Sequence, residues 1–172
     1  IIIFLPLFLF IFFLILFSSG SPVFFIQTRS GINGKKISLF KFRTFEKNEI
    51  TFIGHFLRKF RIDELPQFVN VLFGDLSIVG PRPLYIEYNE LYSKAQGRRL
   101  LMKPGITGLA QIRGLNKLSW QHKFKYDVFY VDNYSLTLDL YIMYKTFFIL
   151  LSLIFINNNE YKFDTKFKGN KK

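Results

Sequence analysis

The first 28 residues contain no Asp, Glu, Lys or Arg, and from Ile1 to Phe17 every position except Pro6 is apolar. A helix with no polar face needs either a core on all sides or a bilayer. A straight helix over Ile1–Phe17 rises about 25 Å, slightly short of a hydrocarbon core about 30 Å thick. Two membrane readings compete: a spanning helix whose beginning is missing, or a bent one that enters and leaves by the same face. Pro6 favours the bend, because an interior proline removes a backbone hydrogen bond and clashes with the preceding turn. The chain does not start with Met and its first residue already lies in the apolar run. The expectation is therefore that part of this helix precedes Ile1. A secretory signal is the poorer reading, since no small-residue cleavage site follows.

Charge is distributed in blocks. Residues 29–61 carry +7, residues 62–97 carry −3 and residues 98–125 carry +7, within a total of +12. Two basic blocks flanking an acidic one attract polyanions: phosphorylated substrates, an anionic membrane face or nucleic acid. Arg29, Lys35, Lys36, Lys41 and Arg43 follow the apolar start at once, which places the body of the protein on the cytoplasmic face. A hydrophobic share of 49% with 23 Phe excludes intrinsic disorder. The absence of cysteine excludes a disulfide scaffold, a thiolate metal site and a cysteine nucleophile.

Periodicity gives the elements. Pro22–Gln27 and Lys36–Phe42 read as a β-hairpin or two extended segments around a turn at Gly31–Gly34, and Phe52–Phe60 as an amphipathic interfacial helix. Leu65, Phe68, Val69, Leu72 and Phe73 follow helical spacing and predict the clearest helix, with Pro66 in its first turn and Gly74 as its stop. Ile86–Lys94, Trp120–Asp132 and Leu136–Ile156 are further helical candidates, and Pro104–Gly114 reads as loop or irregular strand. Thr146–Ile156, eleven apolar residues, is too short to span alone and reads as a docked or interfacial continuation of Leu136–Tyr144. Residues 157–172 read as a basic, disordered tail.

Four strings stand in order along this frame: Lys41-Phe42-Arg43-Thr44, Arg61-Ile62-Asp63-Glu64-Leu65-Pro66-Gln67, Gly74-Asp75-Leu76-Ser77-Ile78-Val79-Gly80-Pro81-Arg82-Pro83, and Lys103-Pro104-Gly105-Ile106-Thr107-Gly108-Leu109-Ala110-Gln111. Each alone is weak; an Asp-Glu pair before a helix is usually a cap, and a Pro-Arg-Pro turn is usually only a turn. In this order and spacing, from Pro6 to about Leu151, the chain resembles the bacterial sugar transferases, the small monotopic phosphoglycosyl transferases.

That resemblance implies a mixed, mostly helical α/β cytoplasmic domain over residues 20–156, held to the bacterial inner membrane by a re-entrant helix over 1–19 and by amphipathic interfacial helices. It implies transfer of a sugar 1-phosphate from a UDP-sugar to undecaprenyl phosphate with release of UMP. In this likeness Asp63 is the nucleophile that becomes a phosphosugar-aspartate, and Glu64 is its catalytic partner. Lys41, Arg58 and Arg82 match basic positions around the phosphates. Asp127 lies in a family-like segment, and Arg113 stands in for an arginine that relatives carry where this chain has Leu115. Mg²⁺ is the implied cofactor, with Glu64 and Asp63 as its carboxylates. A carboxylate attacking a diphosphate needs this kind of charge neutralisation. The chain's small size leans toward an acetylated amino sugar.

Two other classes compete with this one. A membrane-anchored scaffold of the same fold without turnover is the alternative, motivated by Leu115 and the incomplete apolar start. A nucleic-acid-binding protein fits poorly: acidic residues interrupt the basic blocks, and no DNA- or RNA-binding motif occurs. His55 and His122 stand alone and read as interfacial or surface residues, and Trp120 as a packing aromatic.

Overall fold

The computed structural model describes residues 5–47, 49–114, 117–155 and 166–170. The apolar start forms α1, described over Leu5–Ser19, with Pro6 near the start of that range. The residues before Leu5, and with them the other limb of the expected bend, lie outside the described residues. Phe8, Ile11, Phe12, Ile15 and Leu16 form one stripe that packs against Val23, Phe42 and Leu57. Phe10, Phe13 and Phe17 stay uncovered. A helix with uniform sequence therefore has a docked side and an open side. It ends at Gly20, whose φ of 71° suits glycine. There Arg43 Nη2 donates to the carbonyls of Ser19 at 2.5 Å and Gly20 at 2.7 Å. A cation at this position satisfies orphan carbonyls and complements the helix dipole.

The expected hairpin is present. β1, Phe24–Ser30, pairs antiparallel with β2, Lys36–Phe42, with Phe24 opposite Phe42 and Ser30 opposite Lys36. A second, tiny hairpin of β3, Phe45–Glu46, and β4, Glu49–Ile50, has no signal in the sequence reading. It leads into α2, Phe52–Lys59, capped by Thr51 Oγ1, which accepts from the Gly54 N–H at 3.0 Å. α2 buries Gly54 and Leu57 and turns Phe52 and Phe56 outward.

The helix expected from Leu65 to Phe73 is shorter than its periodicity suggests, and the end of its apolar stripe is exposed. A 3₁₀ turn covers Ile62–Glu64, and α3 runs only from Gln67 to Leu72, with Gly74 at φ 80° ending it as expected. Gln67 and Asn70 are buried, Asn70 completely, while Leu72 and Phe73 are 70% and 74% exposed. Asn70 accounts for this polar burial. Its Oδ1 accepts from the Phe40 N–H at 3.1 Å and its Nδ2 donates to the Ser38 carbonyl at 2.7 Å, so its carboxamide satisfies the free edge of β2.

β5, Ser77–Val79, pairs in parallel with β6, Gly105–Thr107. A Cβ on Gly80 or Gly105 would run into facing backbone, so this close approach requires glycine. Between the two strands lie a 3₁₀ segment over Ile86–Leu91, the single-turn α4, Lys94–Gly97, and a further 3₁₀ turn over Arg98–Leu101. The stretch after Pro104, expected as loop or irregular strand, holds the strand β6 and then, against that expectation, a helix, α5, Leu109–Gly114.

α6, Trp120–Asn133, and α7, Leu136–Phe155, match the helical expectations. Tyr130 joins them to β5: its hydroxyl donates to Asp139 Oδ1 at 2.6 Å and lies 3.4 Å from the Val79 carbonyl. Thr146–Phe155 is fused to Leu136–Tyr144 in one unbroken helix of 20 residues, about 30 Å long. By length and composition α7 is long and apolar enough to cross a membrane, which the eleven-residue stretch alone did not suggest. One side of it docks: Ile142 is fully buried with Val79, Leu109 and Tyr130, and Thr146 Oγ1 lies 2.6 Å from Thr107 Oγ1. The expected disorder of the tail does not extend to residues 166–170. Phe167 is buried among Tyr88, Phe124 and Trp120, and its N–H donates to the Tyr88 hydroxyl at 3.1 Å. Aromatic burial holds this basic segment down despite its charge.

Candidate active site

The Asp-Glu pair sits in the 3₁₀ turn that follows α2. The chain reverses there through Arg61, at φ 59°, in the left-handed region normally left to glycine. The six-residue α3 gives the pair no long helix dipole, so the electrostatics come from side chains. Glu64 Oε1 lies 3.0 Å from Lys41 Nζ, carried on β2, and 3.3 Å from Arg82 Nη2, carried on the turn after β5. Asp63 is 7% exposed, and its Oδ1 is buried without a hydrogen-bond partner.

The two carboxyls are driven apart. Burial, and then the charge of Glu64, push Asp63 up to about 6 against the pull of Lys41, Arg58 and Arg61. Burial also works to raise Glu64, but Arg82, Lys41 and Arg61 outweigh it and hold Glu64 far below the ordinary carboxylate range. Glu64 is thus a fixed anion between two cations, and Asp63 a poorly stabilised one beside it. Adjacent acids with opposed shifts are a signature of divided chemical roles.

Lys41, Arg82 and the dyad meet as the sequence predicts. Arg58 acts on Asp63 through space; its Nε donates to Thr44 Oγ1 at 2.8 Å and its guanidinium lies 4.2 Å from the Phe45 ring centre. Arg61 and Arg29 belong to the same field, although sequence reasoning gave them no role. Arg61 was inside the quoted motif, but its left-handed backbone has no sequence signal. Arg29 on β1 stacks 3.6 Å from the Tyr85 ring centre and is coupled electrostatically to Arg82 and Glu64. Five cations, Arg29, Lys41, Arg58, Arg61 and Arg82, act on two carboxylates, a net positive site suited to a diphosphate.

The other two predicted binding residues lie apart from this cluster in their contacts. Arg113, exposed on α5, is 5.9 Å from the Tyr126 ring centre. Asp127, buried on α6, is paired with Arg99, which sequence reasoning also left without a role, at 2.9 Å. Burial raises the Asp127 carboxyl, with Arg99 opposing. Leu115 lies outside the described residues. His55 is exposed on α2, and His122 Nδ1 lies 2.9 Å from Ser119 Oγ at the cap of α6, so neither joins the dyad.

Among the described residues no group of three or more His, Cys, Asp and Glu is placed to hold a metal on its own. A buried, unpartnered Asp63 oxygen beside an ionised Glu64 does fit a Mg²⁺ ion that arrives with phosphate ligands, because Mg²⁺ needs only one or two protein carboxylates. A cleft of about 560 Å³ between the end of α1, the β3–β4 hairpin and the start of α2 is lined by none of these groups.

Comparison with known proteins gives a family for the chain. The family described as "Bacterial sugar transferase" matches residues 1–153. EpsL of Bacillus subtilis (strain 168), described as an uncharacterized sugar transferase, is 52% identical over 136 residues, which cover 72% of this chain and 67% of that protein. The exopolysaccharide production protein ExoY of Sinorhizobium fredii is 37% identical over 170 residues, 82% of this chain and 75% of ExoY. A UDP-glucose:undecaprenyl-phosphate glucose-1-phosphate transferase of Klebsiella pneumoniae is 44% identical over 155 residues, 76% of this chain and 33% of that longer protein. On this ground the chain belongs to the bacterial sugar transferase family.

Proposed function

We propose that this phosphoglycosyl transferase moves a sugar 1-phosphate from a UDP-sugar to undecaprenyl phosphate in two displacements at Asp63. The observation that carries the reading is the contrast within the dyad: Glu64 is locked by Lys41 and Arg82, while Asp63 keeps a buried oxygen free and titrates near neutrality. In the first displacement an Asp63 oxygen attacks the β-phosphorus of the donor, the bond to the bridging oxygen breaks, and UMP leaves with that electron pair. In the second, an oxygen of the lipid phosphate attacks the same phosphorus and the Asp63 carboxylate departs, leaving a polyprenyl diphosphate sugar. Neither step requires a net proton transfer. Lys41, Arg58, Arg61 and Arg82 hold the phosphates and offset the repulsion met by an anionic nucleophile. Mg²⁺, held by Glu64 and Asp63 together with the phosphates, would neutralise charge on the diphosphate.

The lipid substrate agrees with the apolar surfaces of α1, α2, α3 and α7, which suit a domain resting on the inner membrane. The basic flank after α1 favours its cytoplasmic face. UDP-glucose is the first donor to try, given the names of the relatives, with N-acetylated UDP-sugars after it. The test is UMP release by membrane-embedded protein given undecaprenyl phosphate, Mg²⁺ and a panel of UDP-sugars. Release with one donor that is lost in Asp63→Asn supports the transferase. Absence of release with every donor favours the non-catalytic scaffold.

A further inference from the structure

Arg82 reaches Glu64 from a turn that has left the β5–β6 ladder. Gly80 N–H still donates to the Thr107 carbonyl at 2.9 Å, and the Pro81 carbonyl accepts from the Gly105 N–H at 3.0 Å. One residue later the strand partners stop, and the Arg82 carbonyl is taken by a side chain instead. Arg99 Nη2 donates to it at 2.5 Å. The same guanidinium contacts Asp127 Oδ2 through Nε at 3.0 Å and Nη2 at 2.9 Å, and reaches the Tyr92 hydroxyl through Nη1 at 3.3 Å. Arg99 and Asp127 are both almost wholly buried.

We propose that Arg99 is the positioning residue that sets Arg82 against Glu64, with Asp127 as its counter-charge. This rests on the proposed function above and deepens it. A buried ion pair is a poor way to gain stability, because the desolvation of two charges offsets most of their attraction. What it provides here is direction. The guanidinium fork is planar and rigid: with Nε and Nη2 fixed on one carboxylate of α6, Nη2 also has a set place to meet the Arg82 carbonyl. Pro83 restricts the Arg82 backbone from the other side. The turn is thereby tied to α6, and the Arg82 side chain leaves it toward the dyad along one path. A lysine would keep the charge facing Asp127, but a single ammonium on a flexible stem does not reproduce the fork.

The test uses Arg99→Lys, Arg82→Lys and the pair of them, with Arg99→Met/Asp127→Leu as a second background that removes both buried charges together. UMP release gives kcat and KM, and thermal melting in the same membrane mimic reports folding. Arg99→Lys is expected to lower kcat/KM about tenfold or more, the scale of coupling between contacting residues, and in the same parameter that Arg82→Lys lowers. In either altered background Arg82→Lys should then add little. A fully active Arg99→Lys, or losses that multiply, would overturn the proposal and leave Arg82 its role. An Arg82→Lys variant as active as the native protein would instead strike the reading of the site itself.

Discussion

At the scale of single residues, most of the account rests on Asp63, whose isolation within the cluster has consequences in both pH and stability. A nucleophilic carboxylate must be ionised, so kcat/KM should fall as pH drops through about 6 and be level above it, as measured by UMP release between pH 5 and 8. The same shift acts on stability. Asp63 binds its proton more tightly folded than unfolded, so its contribution is most favourable below the unfolded carboxylate value and is lost as pH rises through about 6. Asp63→Asn should therefore abolish turnover while stabilising the protein at pH 8 by an amount on the order of 2 kcal/mol. A variant that is both inactive and destabilised would mean that Asp63 serves the fold. Arg61 tests the opposite side of the balance. A left-handed arginine costs about 1 kcal/mol that glycine would avoid, so Arg61→Gly should leave stability within about that amount while lowering kcat/KM on the order of tenfold. Unchanged kinetics would reduce Arg61 to a turn residue.

At the scale of elements, Asn70 does what a neighbouring strand would otherwise do for β2. Asn70→Ala removes both partners from the Phe40 N–H and the Ser38 carbonyl beside a fully buried position, at a cost of about 2 kcal/mol, and loosens the strand that carries Lys41. Chemical denaturation would measure the loss, and a change below about 0.5 kcal/mol would contradict the bridging role. Asn70 also marks where the sequence ceased to be readable. Regular periodicity gave the β1–β2 hairpin, α2, α6 and the course of α7, because in these segments side-chain pattern and backbone state agree. In α3 the stripe of Leu65, Phe68, Val69, Leu72 and Phe73 was real, but with a membrane as one possible partner an apolar stripe no longer identifies the inside. β5 and β6 were hidden by their short length and by glycines, which mark a close backbone approach as readily as a loop. Phe167 was lost against the lysines around it. In the site, the motifs were enough to bring Lys41, Asp63, Glu64 and Arg82 together. The roles of Arg61, Arg29 and Arg99 have no such signal, since they come from a backbone angle, a stacked ring and a carbonyl 17 residues away.

At the scale of the whole molecule, the unusual feature is where the apolar surface lies. Phe17 on α1, Phe52 on α2, Phe73 just after α3 and Leu140 on α7 are all exposed, far more large apolar side chains than a domain surrounded by water keeps uncovered. If a bilayer covers them, Phe73→Trp in a Trp120→Phe background should emit in the blue and be quenched by brominated lipid. Emission at the wavelength of exposed indole, unaffected by such lipid, would place α3 in water. The two-displacement reaction depends, above all, on the bond proposed to form at Asp63. The most direct measurement is the intact mass of the membrane-embedded protein after incubation with Mg²⁺ and its UDP-sugar, with no lipid acceptor present. The account predicts an added sugar phosphate that is absent from Asp63→Asn and is discharged when undecaprenyl phosphate is supplied. Turnover of the donor with no such adduct, or an adduct that persists in Asp63→Asn, would contradict it.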